Sequence, residues 1–231
     1  MKNELEFLEK YGEDNWYLHN KNLLIVNWLK KSQGNSVSKK VLDFGCGAGH
    51  LAKLMQVEGF EVVATDIDAT ARKLTGKKGI TIAKFEELER NSFDAIIAAD
   101  VFEHVADDTI LMKKLGSLLK KAGVLITTVP AMKSLWGIRD NRLGHFRRYE
   151  KMELNNKLAS SGFEVVFTRF WNSFFCPMVY LQRKFMKDKD VHEFAMLPNS
   201  INCLLGKTLL LEQYLSFFPF GVTLFCVAKT N

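Results

Sequence analysis

A chain of 231 residues with 47% hydrophobic and 25% charged residues can fill a core and stay in solution, which excludes a disordered or low-complexity protein. The formal charge is +6, and residues 139–189 alone hold eleven Lys/Arg against five Asp/Glu, an excess equal to that of the whole chain. Cys46, Cys176, Cys203 and Cys226 lie far apart, which excludes zinc-finger and C-x-x-C chemistry and suits reduced thiols in a cytoplasmic protein.

Residues 1–14 are polar and read as a frayed or helical lead-in, and their acids leave no apolar run for an export signal. Residues 15–31 read as a helix whose apolar face holds Leu18, Leu23, Leu24, Val26, Trp28 and Leu29. A polar loop at 32–36 ends it. A strand at 40–44 then runs into Gly45-Cys46-Gly47-Ala48-Gly49 and a helix at 49–58. Glycines at alternate positions let the backbone turn sharply and let a ligand approach closely. The helix start turns free N–H groups toward that ligand.

A second strand at 61–65 ends in Asp66-Ile67-Asp68, followed by a short helix at 69–74 and a third strand at 79–83. The fourth strand, 93–99, carries Asp100 at its tip. A helix at 109–121 has Lys120 and Lys121 at its negative end and Gly123 as its stop, and a fifth strand spans 124–129. This alternation indicates a parallel sheet covered by helices on both faces. Residues 130–148 lack periodicity and read as a long functional loop holding Trp136, Arg139, Arg142, His145, Arg147 and Arg148. A helix at 150–161, a strand at 163–170, a largely helical stretch at 172–218 and a last strand at 222–228 complete the chain. Residues 209–228 approach spanning length, but Glu212, Gln213 and Pro219-Phe220-Gly221 interrupt them, so they read as a helix and then a buried strand.

In such a sheet the ligand lies at the carboxyl ends of the strands. Those ends carry Asp43 with the glycine loop, Asp66, Glu86, Asp100 with Glu103-His104, and the 130–149 loop. Asp66 is placed to accept hydrogen bonds from both hydroxyls of a ribose. A dinucleotide is disfavoured: G-x-G-x-x-G needs a small residue where this chain has His50, and Asp43 would repel a pyrophosphate. Asp43 suits an ammonium, directly or through water, and the loop N–H groups suit a carboxylate. A ligand with ribose, adenine and a zwitterionic amino-acid tail is S-adenosylmethionine.

At these residues the sequence resembles the class I S-adenosylmethionine-dependent methyltransferases. The matching blocks are Val41-Leu42-Asp43-Phe44-Gly45-Cys46-Gly47-Ala48-Gly49, Ala64-Thr65-Asp66-Ile67-Asp68 and Phe93-Asp94-Ala95-Ile96-Ile97. Asp100-Val101-Phe102-Glu103-His104-Val105 and Leu119-Lys120-Lys121-Ala122-Gly123-Val124-Leu125 follow in the same order. The resemblance implies a Rossmann-like, doubly wound seven-stranded α/β sheet with the last strand antiparallel and a helical insertion before it. It implies cofactor-binding roles for Asp43, Gly45, Cys46, Gly47, Asp66, Ile67 and Asp100. It also implies an acid that meets the adenine amino group after the third strand. Glu86 is the nearest match, with Phe85 as a stacking neighbour, while Glu87 and Glu89 compete and an acidic surface turn explains all three as well.

Asp100-x-x-Glu103-His104 is similar to a pattern in ubiquinone-pathway O-methyltransferases and small-RNA methyltransferases, where acids and a His hold a divalent metal. Those have Glu in the first place. Here it is Asp, and no His-rich segment follows closely, so no metal is assigned and His104 is read as ordering the loop or lining the cofactor pocket. Leu143-Gly144-His145-Phe146-Arg147-Arg148-Tyr149 resembles a bacterial subgroup of these methyltransferases found among cell-envelope and polysaccharide genes. His145 suits a general base for a hydroxyl, Arg147 or Arg148 a clamp on phosphate or carboxylate, and Tyr149 a group that orients the acceptor. Against the clamp stands a plainer role, in which the arginines pair with local acids and anchor the loop.

These observations describe one domain, with residues 38–130 binding the cofactor and residues 130–150 and 172–218 facing the acceptor. The expected reaction is methyl transfer to oxygen, or else nitrogen, on a small-molecule, glycan or lipid-linked acceptor. Trp171, Phe174, Phe175, Tyr180 and Phe185 either line an apolar cavity or pack in the core. Arg183, Lys184, Lys187 and Lys189 suit a peripheral contact with anionic lipid. A nucleic-acid methyltransferase is disfavoured by the lack of an RNA-binding module and of an Asn/Asp-Pro-Pro-Tyr motif. A non-catalytic S-adenosylmethionine-binding protein would retain the same Asp43, glycine loop and Asp66.

Overall fold

Runs of alternating apolar residues that are buried on both sides build the centre of this protein. In β1 (Lys40–Phe44), β4 (Phe93–Ala99) and β5 (Leu119–Pro130), Val41, Ile97 and Ile126 join one hydrophobic layer while Leu42, Ile96 and Leu125 join the other. The structure, a computed structural model, describes residues 2–33, 39–185, 198–215 and 218–230. With β2 (Glu61–Thr65), β3 (Thr81–Ile82), β6 (Phe163–Trp171) and β7 (Thr223–Thr230), the strands form one seven-stranded sheet in the order β3-β2-β1-β4-β5-β7-β6. β7 runs antiparallel to both β5 and β6, and the pairs among β1 to β5 are parallel. This is the expected sheet with its last strand reversed.

One layer packs the sheet against α2 (Trp16–Gln33) and α3 (His50–Val57). The other packs it against α5 (Asp108–Leu118) and α7 (Lys151–Ser160). The polar lead-in forms α1 (Lys2–Tyr11), and α4 (Ala69–Lys77) joins β2 to β3. Residues 130–150 are more ordered than a loop: α6 (Ile138–Leu143) lies within them, and they leave and return as a parallel bridge between Ala131 and Tyr149. The 172–218 stretch contains α8 (Cys176–Phe185) and α9 (Asn199–Glu212), and α9 followed by β7 matches the helix-then-strand expectation. No helix among the described residues is long and apolar enough to cross a membrane. Residues 34–36 of the expected loop, together with Lys187 and Lys189, lie outside the described residues.

One boundary is corrected. α5 stops at Leu118, and Leu119 already pairs with Phe93 of β4. Lys120 and Lys121 therefore belong to β5 and not to the helix end. Ala122 takes φ +57°, and a Cβ at Gly123 would meet the Lys120 carbonyl at 2.8 Å, so this glycine serves a tight kink in the strand.

Candidate functional site

The carboxyl ends of β1, β2 and β4 open into a cavity of about 1090 Å³. Asp43, Gly45, Cys46, Gly47, Asp66, Ile67, Glu86, Asp100, His145 and Arg148 all line it. Asp43 is brought to its floor by β1, with 2% of its surface exposed and no hydrogen-bond partner for Oδ2. Burial, helped by the nearby Asp66 charge, pushes this carboxyl up to about 7. An unpartnered buried carboxylate oxygen at a cavity wall fits a ligand that brings a cation, as the amino-acid tail of S-adenosylmethionine does.

The glycine loop turns with Gly45 at φ +81°, and a Cβ there would meet Val101 Cγ2 at 2.6 Å. Its N–H groups are largely engaged within the protein. Gly45 and Cys46 donate to the Thr65 carbonyl (2.9 and 3.1 Å), Gly47 to Asp66 Oδ2 (2.9 Å) and Gly49 to the Cys46 carbonyl (2.9 Å). Four loop N–H groups thus already have partners within the protein, and the Ala52 N–H in the first turn of α3 donates to Asp43. Asp66 also accepts from the Asp68 N–H (2.8 Å), so each of its oxygens keeps a lone pair for a ribose hydroxyl. Ile67 stands beside it, 94% exposed. The Cys46 thiol is turned into the core beside Thr75, and burial raises it to about 12, so only its backbone faces the cavity. After β3, Glu86 reaches the wall next to Phe85, whose ring meets Phe44 edge-on at 5.1 Å. Glu87 instead turns back to the Lys84 N–H (3.0 Å).

α1 and the turn after it close this end, with Leu5, Leu8 and Gly12 in the wall. His50, the residue that argues against a dinucleotide, pins it through Nε2 to the Leu8 carbonyl (2.8 Å) and Nδ1 to Glu13 (3.0 Å).

At the tip of β4, Asp100 takes φ +55°, accepts from Thr128 Oγ1 (2.8 Å) and is ion-paired with Lys21 of α2. Burial opposes its charge, but Lys21 wins and holds the carboxyl below the usual range. Lys21 escaped the sequence reading. Its one trace is a cation in the otherwise apolar stripe Tyr17, Lys21, Leu24, Trp28.

The 130–150 segment builds the opposite wall around Asp140, also unanticipated. α6 ends at Gly144 (φ +71°), which turns the chain so that the His145 N–H returns to the Asp140 carbonyl (2.9 Å). The side chains of the same two residues then meet, His145 Nδ1 lying 3.0 Å from Asp140 Oδ1. Arg148 Nε donates to the same oxygen (2.8 Å), while the Gly137 N–H (2.9 Å) and Arg183 Nη1 (3.0 Å) donate to Oδ2. Burial opposes the charge, but the His145 hydrogen bond and the two guanidinium groups hold this carboxyl at about 2. An acceptor on Nδ1 places the proton there and leaves the lone pair on Nε2.

His104 packs edge-on against His145, ring centroids 4.6 Å apart. Glu103 is 1% exposed, its Oε2 has no hydrogen-bond partner, and burial followed by the Asp100 charge raises its carboxyl well above normal. One ligand atom from each of Glu103, His104 and His145 lies within 4.8 Å of the others. The second histidine that the Glu103-His104 pattern lacks nearby in sequence thus arrives from the loop. This donor set of one carboxylate and two imidazoles fits a divalent transition metal.

Three expectations change. Tyr149 is fully buried outside the cavity wall and donates to Asp108 Oδ2 (2.6 Å), because the bridge to Ala131 turns its side chain into the α5–α7 layer. Arg147 is held by Asp108 (2.8 Å) and the Ala106 carbonyl (2.6 Å), and Arg148 by Asp140 and the Ala131 carbonyl (2.8 Å), so both anchor the loop. Trp171 and Phe175 pack in the core near Tyr17 and Trp16, whereas Phe174, Tyr180 and Phe185 face outward; none lines the cavity.

Residues 17–167 match a methyltransferase-domain family. A ubiquinone biosynthesis O-methyltransferase of Rickettsia prowazekii is 33% identical over 145 residues, covering 54% of this chain and 58% of that protein. One of Serratia proteamaculans is 29% identical over 131 residues, 52% and 54% of the two chains. The chain thus spans a little over half the length of these curated relatives. A SAM-dependent methyltransferase of Archaeoglobus fulgidus superposes with a TM-score of 0.63 at 18% identity, over 97% of this chain and 98% of that one. Phosphoethanolamine N-methyltransferase 2 of Haemonchus contortus, solved with S-adenosyl-L-methionine, gives 0.62 at 19% identity, over 91% and 52%. The family match across residues 17–167 and the shared sheet together show that the chain belongs to the class I S-adenosylmethionine-dependent methyltransferases.

Proposed function

We propose that this protein methylates an oxygen of a small-molecule, glycan or lipid-linked acceptor, with residues 38–130 binding the cofactor and residues 130–150 facing the acceptor. The observation that carries this reading is the Asp140–His145 pair in the wall of the cavity that also holds Asp43 and Asp66. S-adenosylmethionine supplies an electrophilic methyl group that needs an aligned nucleophile and exclusion of water. Asp43 takes the ammonium of its tail, Asp66 the ribose hydroxyls, and Ile67, Phe85 and Glu86 the adenine. The backbone of Gly45, Cys46 and Gly47 leaves room for the ligand, and Asp100 with Lys21 bounds the methyl end. His145 Nε2 removes the hydroxyl proton as the oxygen attacks. Asp140 fixes the tautomer and stabilises the imidazolium, and Arg148 holds Asp140. Relatives named as O-methyltransferases favour oxygen over nitrogen.

The test is transfer of labelled methyl into separated lipid, glycan and small-molecule pools. Label in a hydroxyl-bearing pool, reduced about 10²–10⁴-fold in His145→Ala, is the expected result. Label in RNA, or no S-adenosylhomocysteine with any pool, overturns it. A second reading rests on the Glu103, His104 and His145 cluster. These three would hold a divalent cation that lowers the pKa of a bound hydroxyl, with His145 a ligand and no longer the base. Activity lost to a chelator and restored by added Mn²⁺ or Zn²⁺ selects this reading, and activity indifferent to chelation selects the base.

A further inference from the structure

Among the described residues, eighteen large hydrophobic side chains are exposed, and ten of them fall between residues 174 and 214. The exposure is therefore concentrated in the stretch that carries α8 and α9, which meet where the Ser173 N–H, ahead of α8, donates to Glu212 at the end of α9. On α8, Met178, Leu181 and Phe185 follow one another at intervals of three and four residues, the spacing of a single helix stripe, and Phe174 is exposed in the turn just before the helix. On α9 the outward stripe is Leu204, Lys207 and Leu211, and Tyr214 is exposed in the turn just after the helix.

Charge says what this face fits. The exposed charges on α8 and α9 are Lys184 and Lys207. The one acid of the two helices, Glu212, is 1% exposed and turned inward to the Ser173 N–H (2.9 and 3.0 Å). Among the described residues, apolar stripes flanked by lysines with no exposed acid on either helix match an anionic lipid surface, where alkyl chains take the apolar groups and phosphates take the lysines. A second copy of the same face would set lysine against lysine. At 10 and 14 residues, α8 and α9 lie along a bilayer rather than through it.

We infer that the α8–α9 face docks this protein onto anionic lipid bilayers. Arg183 is not part of that contact, contrary to the expectation from sequence. It turns inward, donating to Asp140 Oδ2 and to the Leu135 carbonyl. α8 is thereby tied to the residue that orients His145, and Arg183 itself lines the cavity.

The test is flotation of the full chain with vesicles of phosphatidylcholine alone and of phosphatidylcholine with about 30% phosphatidylglycerol. Binding to the anionic vesicles alone is expected. Lys184→Glu/Lys207→Glu should weaken it by about tenfold or more. Leu181→Ser/Leu211→Ser should weaken it by about tenfold at unchanged charge. A thermal shift with S-adenosylhomocysteine checks that each variant is folded. No binding of the parent chain, or both variants floating like the parent, overturns the inference. So does a dimer in sedimentation that Leu181→Ser/Leu211→Ser dissociates without any vesicle binding. Flotation requires no methyl transfer, so its outcome is separate from that of the proposed reaction.

Discussion

Asp43 is a carboxyl that burial and Asp66 raise to about 7. Below that pH it is protonated in the free protein, and a ligand ammonium that favours the carboxylate must displace the proton. Affinity for S-adenosylhomocysteine should therefore rise with pH up to about 7 and level off above it, weakening by up to roughly tenfold per unit below. Calorimetry across that range checks this, and Asp43→Asn should give a flat, weaker profile. Asp140 acts at the same scale but on the other wall. Asp140→Asn keeps the shape and removes the charge between His145, Arg148 and Arg183. kcat should fall by about 10²–10⁴-fold while cofactor affinity is unchanged. Loss of affinity together with kcat would show that Asp140 only holds the fold. Asp43 and Asp66 are legible in the sequence because each stands at a fixed offset from the glycine loop. Asp140 and Lys21 are not, because Lys21 of α2 finds its partner at the tip of β4 and Asp140 gathers His145 and Arg148 from its own segment and Arg183 from α8, which only the folded chain brings together.

At the scale of elements, Asp108 joins α5 to α7 and to the returning loop. It accepts from Lys157 (2.7 and 2.9 Å) and Tyr149, and Arg147 pairs with it. Burial opposes its charge, yet these donors hold the carboxyl below its ordinary value of 3.8. A depressed folded value stabilises the protein fully above that ordinary value and loses the contribution as pH falls through the folded one. Acid unfolding should therefore begin earlier in Tyr149→Phe, with a loss of about 1–2 kcal/mol at neutral pH by denaturant titration. Its kcat should stay that of the parent, and a tenfold fall in kcat would return Tyr149 to the acceptor site. The elements misread from sequence share a cause. α6 has six residues, too few to show a 3.6-residue period. The apolar pattern of α5 runs on into Leu119, and pairing with Phe93 of β4 is what ends the helix. In 172–218, aromatic residues read alike for a core and for an outward face, and only the packed structure separates Phe175, against Trp16, from the exposed Phe185.

The cavity wall draws on the chain from Leu5 to Thr223, so ligand binding bears on the whole molecule. α1 reaches the glycine loop through His50, α2 reaches the β4 tip through Lys21, and α8 reaches the loop through Arg183. A ligand seated among these elements stabilises each of them only in the folded state. At a concentration 100 times its Kd, S-adenosylhomocysteine should add about 2.7 kcal/mol. For a chain of this size that is a rise in Tm of about 5–11 °C. Asp66→Ala removes an acceptor that also holds the Gly47 and Asp68 N–H groups, so it should lower both the Tm of the free protein and the size of the rise. NAD should give no rise at the same concentration, since Asp43 faces its pyrophosphate and His50 is committed to α1. A rise with NAD that matches the one with S-adenosylhomocysteine would overturn the cofactor roles given to Asp43 and Asp66 while leaving the sheet, which both ligands can use, untouched.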